Sequence, residues 1–218
     1  MNIHDADDEI IRCLSSKNDV LRMEAQFALV RLHPENSYSF LDELEKKLTL
    51  WEQLNIYENI AFHHLDLPDF ERLLKSKNNS VVLFSLRMVK VFKLKKLFNT
   101  MAELLSHPDD EVRNQTIQVM GNLKMVESLP LLKKIYKNET YDNCVTIIQA
   151  MGNMPDESML SFLNLVLDKE DDVQLQIEAA IAINKVGEKG SEALQKLLKS
   201  DYKNYQIIIK HVLDKRIS

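Results

Sequence analysis

The stretch Leu104-Leu105-Ser106-His107-Pro108-Asp109-Asp110-Glu111-Val112-Arg113, followed by Val119-Met120-Gly121-Asn122, decides the architecture because its parts recur along the chain. Met-Gly-Asn returns as Met151-Gly152-Asn153, 31 positions on. Upstream, Asn79-Ser80-Val81-Val82 stands where Asp110-Glu111-Val112-Arg113 would, at the same spacing, and Asp171-Asp172-Val173-Gln174 repeats the acidic-acidic-Val opening downstream. Extended both ways, this comb runs Val20, Trp51, Val81, Val112, Asn143, Val173, Asn204 at steps of 30 or 31. A second comb, Leu14, Leu44, Leu74, Leu105, Tyr136, Leu167, Leu198, keeps the same step. A fixed period of this length marks tandem supersecondary units. Seven of them fill 1–218 as a single domain, with units near 5–34, 38–66, 68–94, 97–124, 127–154, 156–187 and 190–217.

Within a unit the apolar residues recur every three or four positions. Leu160, Leu163, Val166 and Leu167 form one stripe, and Val173, Ile177, Ala180 and Ile181 the next, both at helical period. Breakers and caps separate the stripes: Ser106 to Asp109, Asn138 to Thr140, Lys169 to Asp172. Pro34, Pro68 and Pro155 follow second helices, and Pro130 sits near the start of a first helix, where a missing N–H is harmless. Asp and Glu at the openings of second helices suit the positive end of the helix dipole. Each unit therefore reads helix, turn, helix. One hairpin cannot bury two apolar stripes alone, but stacked neighbours can. The expected fold is all-α, an α-α superhelix or solenoid of about seven two-helix repeats.

Composition agrees. Four Gly and five Pro in 218 residues are few for a sandwich or barrel. The formal charge of −5 opposes a dedicated nucleic-acid binder. Met1 to Glu9 is acidic and lacks the apolar run of a signal peptide, and no 18-residue apolar stretch occurs. The expected location is cytoplasmic, whether as a free protein or as the cytoplasmic part of a membrane-tethered one. Cys13 and Cys144 make no disulfide framework, and neither has a neighbouring His to make it a nucleophile.

The segment from Leu104 to Leu123 resembles the HEAT-like repeat of bacterial proteins, which reads Leu-Leu, a short acidic turn, Val-Arg, then a helix closing on Leu-Gly. The likeness holds over 97–198 and fades toward both ends, as capping units allow. HEAT-like proteins include transport adaptors, phosphatase scaffolds, bilin lyase subunits and some DNA glycosylases, so the resemblance names a fold and not an activity. It implies that second helices line the concave face. Positions 3, 6 and 10 beyond the Val register share one helical side. There they form a ladder of Gln115, Gln118, Asn122, Thr146, Gln149 and Asn153, whose amides can grip an extended backbone. With Arg87 and Lys90 this is the expected partner-binding face of a non-enzymatic protein-interaction scaffold. The alternative is a HEAT-like enzyme or enzyme subunit, resembling a DNA glycosylase or a bilin lyase.

Charge is uneven. Residues 72–102 carry eight basic and no acidic side chains, interleaved with Phe84, Phe92 and Phe98, which suits an anionic membrane surface as well as a core. Trp51, the single tryptophan, holds a Val register position and is expected to be buried. His63 and His64 point about 100° apart on a helix and cannot share a simple metal site, so no metal or cofactor is expected.

Overall fold

Local capping chemistry sets where each helix begins. The structure, a computed structural model, describes residues 3–32, 38–42, 44, 46–62, 67–199 and 205–214; Pro34, His63-His64 and Asn204 lie outside them. All regular structure among these residues is helical, in the order α1 (Ile3–Cys13), α2 (Asp19–Leu32), α3 (Leu50–Phe62), α4 (Phe70–Leu73), α5 (Asn79–Val91), α6 (Phe98–Leu104), α7 (Asp110–Asn122), α8 (Leu129–Ile135), α9 (Tyr141–Asn153), α10 (Leu160–Lys169), α11 (Val173–Lys185), α12 (Glu188–Lys199) and α13 (Gln206–Asp214). Five of the second helices, α3, α5, α7, α9 and α11, are each 13 residues long, whereas first helices vary from 4 to 12. This is an all-α helical-repeat fold of the solenoid class.

Six of the second helices, α2, α3, α5, α7, α9 and α11, start one residue after a short polar side chain. Asn18 Oδ1 accepts from Val20 N at 3.0 Å, Asp109 Oδ1 from Val112 N at 3.0 Å, and Asp172 Oδ1 from Leu175 N at 2.9 Å. At α3, Thr49 and Glu52 form a reciprocal capping box: Glu52 N donates to Thr49 Oγ1 at 3.3 Å and Thr49 N to Glu52 Oε2 at 2.8 Å. Such caps satisfy backbone donors that the first turn leaves orphaned.

Backbone contacts divide the chain into two units, Met1–Val89 and Lys90–Ser218. In the first, α1 packs on α2 and α2 on α3. Where the first helix of the second repeat was expected, the described residues hold only a 3-10 turn, Ser39–Leu41. Side chains tie that segment down: Asn78 donates to Leu44 O at 2.6 Å and Lys46 O at 2.8 Å, and Leu48 N donates to Ser80 Oγ at 2.8 Å. Ile56, Phe70, Val81, Phe84 and Leu86 fill the core.

In the second unit α7, α9, α11 and α13 lie side by side as successive neighbours, and α6, α8 and α10 each pack on their own partner. Val112, Ile117, Met120, Ile147, Ile148, Ala179 and Ile183 are buried between the rows. The Met-Gly-Asn repeat explains the closeness of the row. A Cβ at Gly121 would stand 2.7 Å from Ala150 Cβ and 2.8 Å from its Cα, and one at Gly152 3.3 Å from Ala182 Cβ.

The Val comb does not mark a common depth. Val81 and Val112 are fully buried, but Val20 is 56% and Val173 60% exposed. Trp51, expected in the core, is 43% exposed. The reason is register. Val112 lies three residues past its cap, Trp51 and Val20 two, and Val173 one. Leu175, not Val173, takes the place of Val112.

Helix ends are equally specific. After α7, Met125 N donates to Met120 O and Lys124 N to Gly121 O, a Schellman motif that puts Lys124 at φ 52°. Lys93 after α5 stands at φ 54°, and Gly187 after α11 at φ 93°. Pro155 cannot enter that conformation, and α9 instead ends on Met154 at φ −122°. A lysine in the left-handed region costs about 1 kcal/mol that glycine avoids. Lys124→Gly is expected to stabilise the protein by up to that amount in a denaturant titration, and the exposed side chain it removes contributes no packing.

Candidate functional site

The α7–α9–α11 row presents the expected amide ladder, with one exception. Gln118, Asn122, Gln149 and Asn153 are exposed and Gln115 is half-buried. Thr146 is buried, its hydroxyl donating to Asp142 O at 2.9 Å and accepting from Asn114 Nδ2 at 2.9 Å. It lies on the seam between α7 and α9 and is withdrawn from the surface. Gln118 Nε2 donates to Asn114 Oδ1, Asn122 Nδ2 to Gln118 O, and Gln149 Nε2 to Glu178 Oε1. Each of these bonds uses one N–H of a primary amide, which has two, and leaves acceptor capacity on the oxygen. Glu178 and Lys185 of α11 continue the face, which sequence reasoning missed because the Val173 register pointed to other positions. With Gln149, Gly152, Asn153 and Ala182 they line a cleft of about 290 Å³.

Arg87 and Lys90 fall in different units, Arg87 in the first and Lys90 in the second. Arg87 is half-buried and its Nη1 donates to Gln53 Oε1 at 2.5 Å, while Lys90 is exposed.

Beneath the ladder runs a polar seam centred on the Val-Arg motif. Arg113 Nε donates to Glu139 Oε1 at 3.0 Å, its Nη2 to Asp110 Oδ1 at 2.8 Å, and its Nη1 back to His107 O at 2.8 Å. Asn143 Nδ2 bridges Glu139 and Asp110. Arg22 repeats the pattern, bonding Glu52, Asp19 and Ser16 O. Gln176 keeps only the backward reach, to Glu170 O at 2.8 Å. All three stand four residues past a cap and hold the carbonyl two residues before it. Neighbouring carboxylates raise both guanidinium pKa values, led by the hydrogen bonds that Arg22 donates to Glu52 and Arg113 donates to Glu139.

No protein-family model and no curated protein matches this sequence. Solved structures do. An engineered protein known from its crystal structure aligns over 98% of this chain and 96% of its own, with a TM-score of 0.51 and 17% identity. The complex of CpcE and CpcF of phycocyanin lyase from Nostoc aligns over 96% of this chain and 94% of its own, with a TM-score of 0.44 and 14% identity. The first likeness shows the fold alone.

The basic segment is split by burial. Phe84 is fully buried and Phe92 and Phe98 half-buried, so the interleaved aromatics belong largely to packing. Arg72 pairs with Asp42 at 2.9 Å, while Lys90, Lys93, Lys95 and Lys96 are exposed. Among the described residues no group of three or more His, Cys, Asp or Glu is placed to hold a metal, and no helix is long and apolar enough to cross a membrane.

Both cysteines are free. Burial, followed by the charges of Glu170 and Glu139, pushes the Cys144 thiol up to about 11. Because the unfolded thiol ionises first, this site's contribution to stability falls as pH rises from the ordinary thiol value to about 11. In native protein at pH 8, a disulfide reagent is expected to titrate the half-buried Cys13 well before Cys144. Full denaturation should release the second equivalent.

Proposed function

We propose that the second unit docks a segment of a partner protein on the face formed by α7, α9 and α11, and performs no chemistry itself. The observation that carries this reading is the set of exposed amides, Gln118, Asn122, Gln149 and Asn153, on adjacent helices of one row. Packed helices lie about 8–10 Å apart. An extended peptide advances about 3.3 Å per residue, so successive rungs would meet every third residue of a bound strand. Glu178 and Lys185, flanking the cleft, offer it one partner of each charge.

A photo-crosslinking residue placed at Asn153 should capture a partner polypeptide in cells, whereas the same residue at the exposed Glu103 of α6 should not. Changing Gln118, Asn122, Gln149 and Asn153 together to alanine should abolish that partner's co-purification and leave Tm unchanged. Undiminished co-purification, or equal crosslinking from Glu103, would reject this face.

A second reading rests on the exposed Lys90, Lys93, Lys95 and Lys96 where α5 turns toward α6. Four lysines in seven residues suit an anionic lipid surface. Flotation on phosphatidylserine liposomes that fails at low salt would remove it.

A further inference from the structure

One position of the repeat carries an apolar or aromatic side chain in α3, α5, α7, α9 and α11 but an amide in α2. Eight residues past the cap, α5, α7, α9 and α11 carry Leu86, Ile117, Ile148 and Ala180, all fully buried. α3 carries the half-buried Tyr57 there. At the same point α2 carries Gln26, which is only 2% exposed, and its Oε1 has no hydrogen-bond partner. A buried amide oxygen without a donor is destabilising, and a leucine would fit the pattern without that cost. Breaches of a local rule with no structural compensation concentrate at functional sites.

Gln26 does not face a closed core. It lines a cleft of about 690 Å³ within the first unit. Ile11, Leu14, Phe40 and Leu44 supply an apolar wall. Arg22 also borders it, pairing with Glu52 at 2.9 Å and Asp19 at 2.7 Å, so that this trio leaves one negative charge against three lysines. Lys17, Lys46 and Lys47 remain exposed at the edge, giving the cleft a positive rim.

We propose that this cleft binds a short acidic peptide segment through Gln26. A glutamine amide can both accept a backbone N–H and donate to a backbone carbonyl, so it pairs with one peptide bond of an extended ligand. Its terminal torsion is soft, and rotation presents either end to the cleft. An apolar side chain of the ligand covers Ile11, Leu14, Phe40 and Leu44, and a carboxylate faces Lys17, Lys46 and Lys47. The site is independent of the second-unit face, and either can fail without the other.

The test uses the full chain and a pool of N-acetylated, C-terminally amidated nonapeptides. Each holds one fixed leucine and one fixed aspartate, with the remaining positions random. A matched pool carries lysine in place of aspartate. Affinity selection should retain members of the acidic pool only. Retained peptides should bind at least tenfold more weakly to Gln26→Leu and to Lys46→Ala/Lys47→Ala, as read by the emission of Trp51, the chain's single tryptophan, which adjoins Glu52 in the cleft wall. Gln26→Leu should also raise Tm, because the orphaned oxygen is gone. No retention, equal retention of the lysine pool, or undiminished affinity for Gln26→Leu would overturn the proposal. So would a lowered Tm in Gln26→Leu, since the amide would then serve the fold. Octanoate binding that Gln26→Leu leaves intact would likewise reject a peptide in favour of a simple amphiphile.

Discussion

Gly121→Leu is expected to lower the unfolding free energy by about 4 kcal/mol, near the upper end of overpacking and strain costs. At an exposed helical site, replacing glycine by alanine gains up to about 1 kcal/mol. Here the sign inverts, because even the first added carbon would stand 2.8 Å from the Cα of Ala150. A backbone atom cannot rotate away as a side-chain tip can, so α7 and α9 must separate. Gly121→Ala should therefore cost about 2 kcal/mol, within the usual overpacking range. Ala150→Gly should return only part of this, since it removes the contact with Cβ and leaves that with Cα. Gly152→Ala, with its nearest contact at 3.3 Å, should cost less than Gly121→Ala. Urea titrations of the four variants check the order. A neutral or stabilising Gly121→Ala would show that the row is not so closely packed.

The second large effect is at the Arg113 seam. Arg113→Met is expected to destabilise by about 3 kcal/mol, because it strands a carboxylate whose side chain is 6% exposed. It also releases His107 O, which anchors the turn before α7. Asn143 still donates to Glu139, and this keeps the loss from being larger. The double variant Arg113→Met/Glu139→Leu should recover at least a third of the loss, since two apolar groups of similar volume desolvate no charge. Exposed pairs are screened by salt. The cost of Arg113→Met should therefore persist in 1 M NaCl, and its disappearance would mark the pair as a surface contact.

The hairpin architecture was legible because helical period and caps are local signals. Asp109 and Asp172 cap their helices as their place in the sequence implied, and Pro130 lies in the first turn of α8. Depth was less legible. The caps Asn18, Thr49, Asn78, Asp109, Thr140 and Asp172 are spaced by 29 to 32 residues, so a comb built on residue type drifts by up to two positions. Two positions on a helix are about 200°, enough to bring Val173 from the core to solvent, and the single position by which Trp51 is displaced, about 100°, leaves it partly exposed. The exposed amides of α7 and α9 were found because they lie close to the quoted motif, where the register is true. Asn114 and Asn143, which cross-link α7 to α9, lacked a sequence signal, because a buried and a solvated asparagine read alike. Gln26 had one. Counting eight from each cap places it among Leu86, Ile117 and Ile148, but the Val comb, not the caps, set the ruler.

Five second helices share a length of 13 residues while their partners do not, and this divides the chain into rigid and permissive parts. A residue inserted within α9 would turn everything after it by about 100° and unseat both Gly152 and the amides. One inserted between Lys169 and Asp172 falls where the natural spacing already stretches to 32. Epitope tags, labels and grafted loops belong in those hairpin bends, and length changes among natural relatives should collect there too.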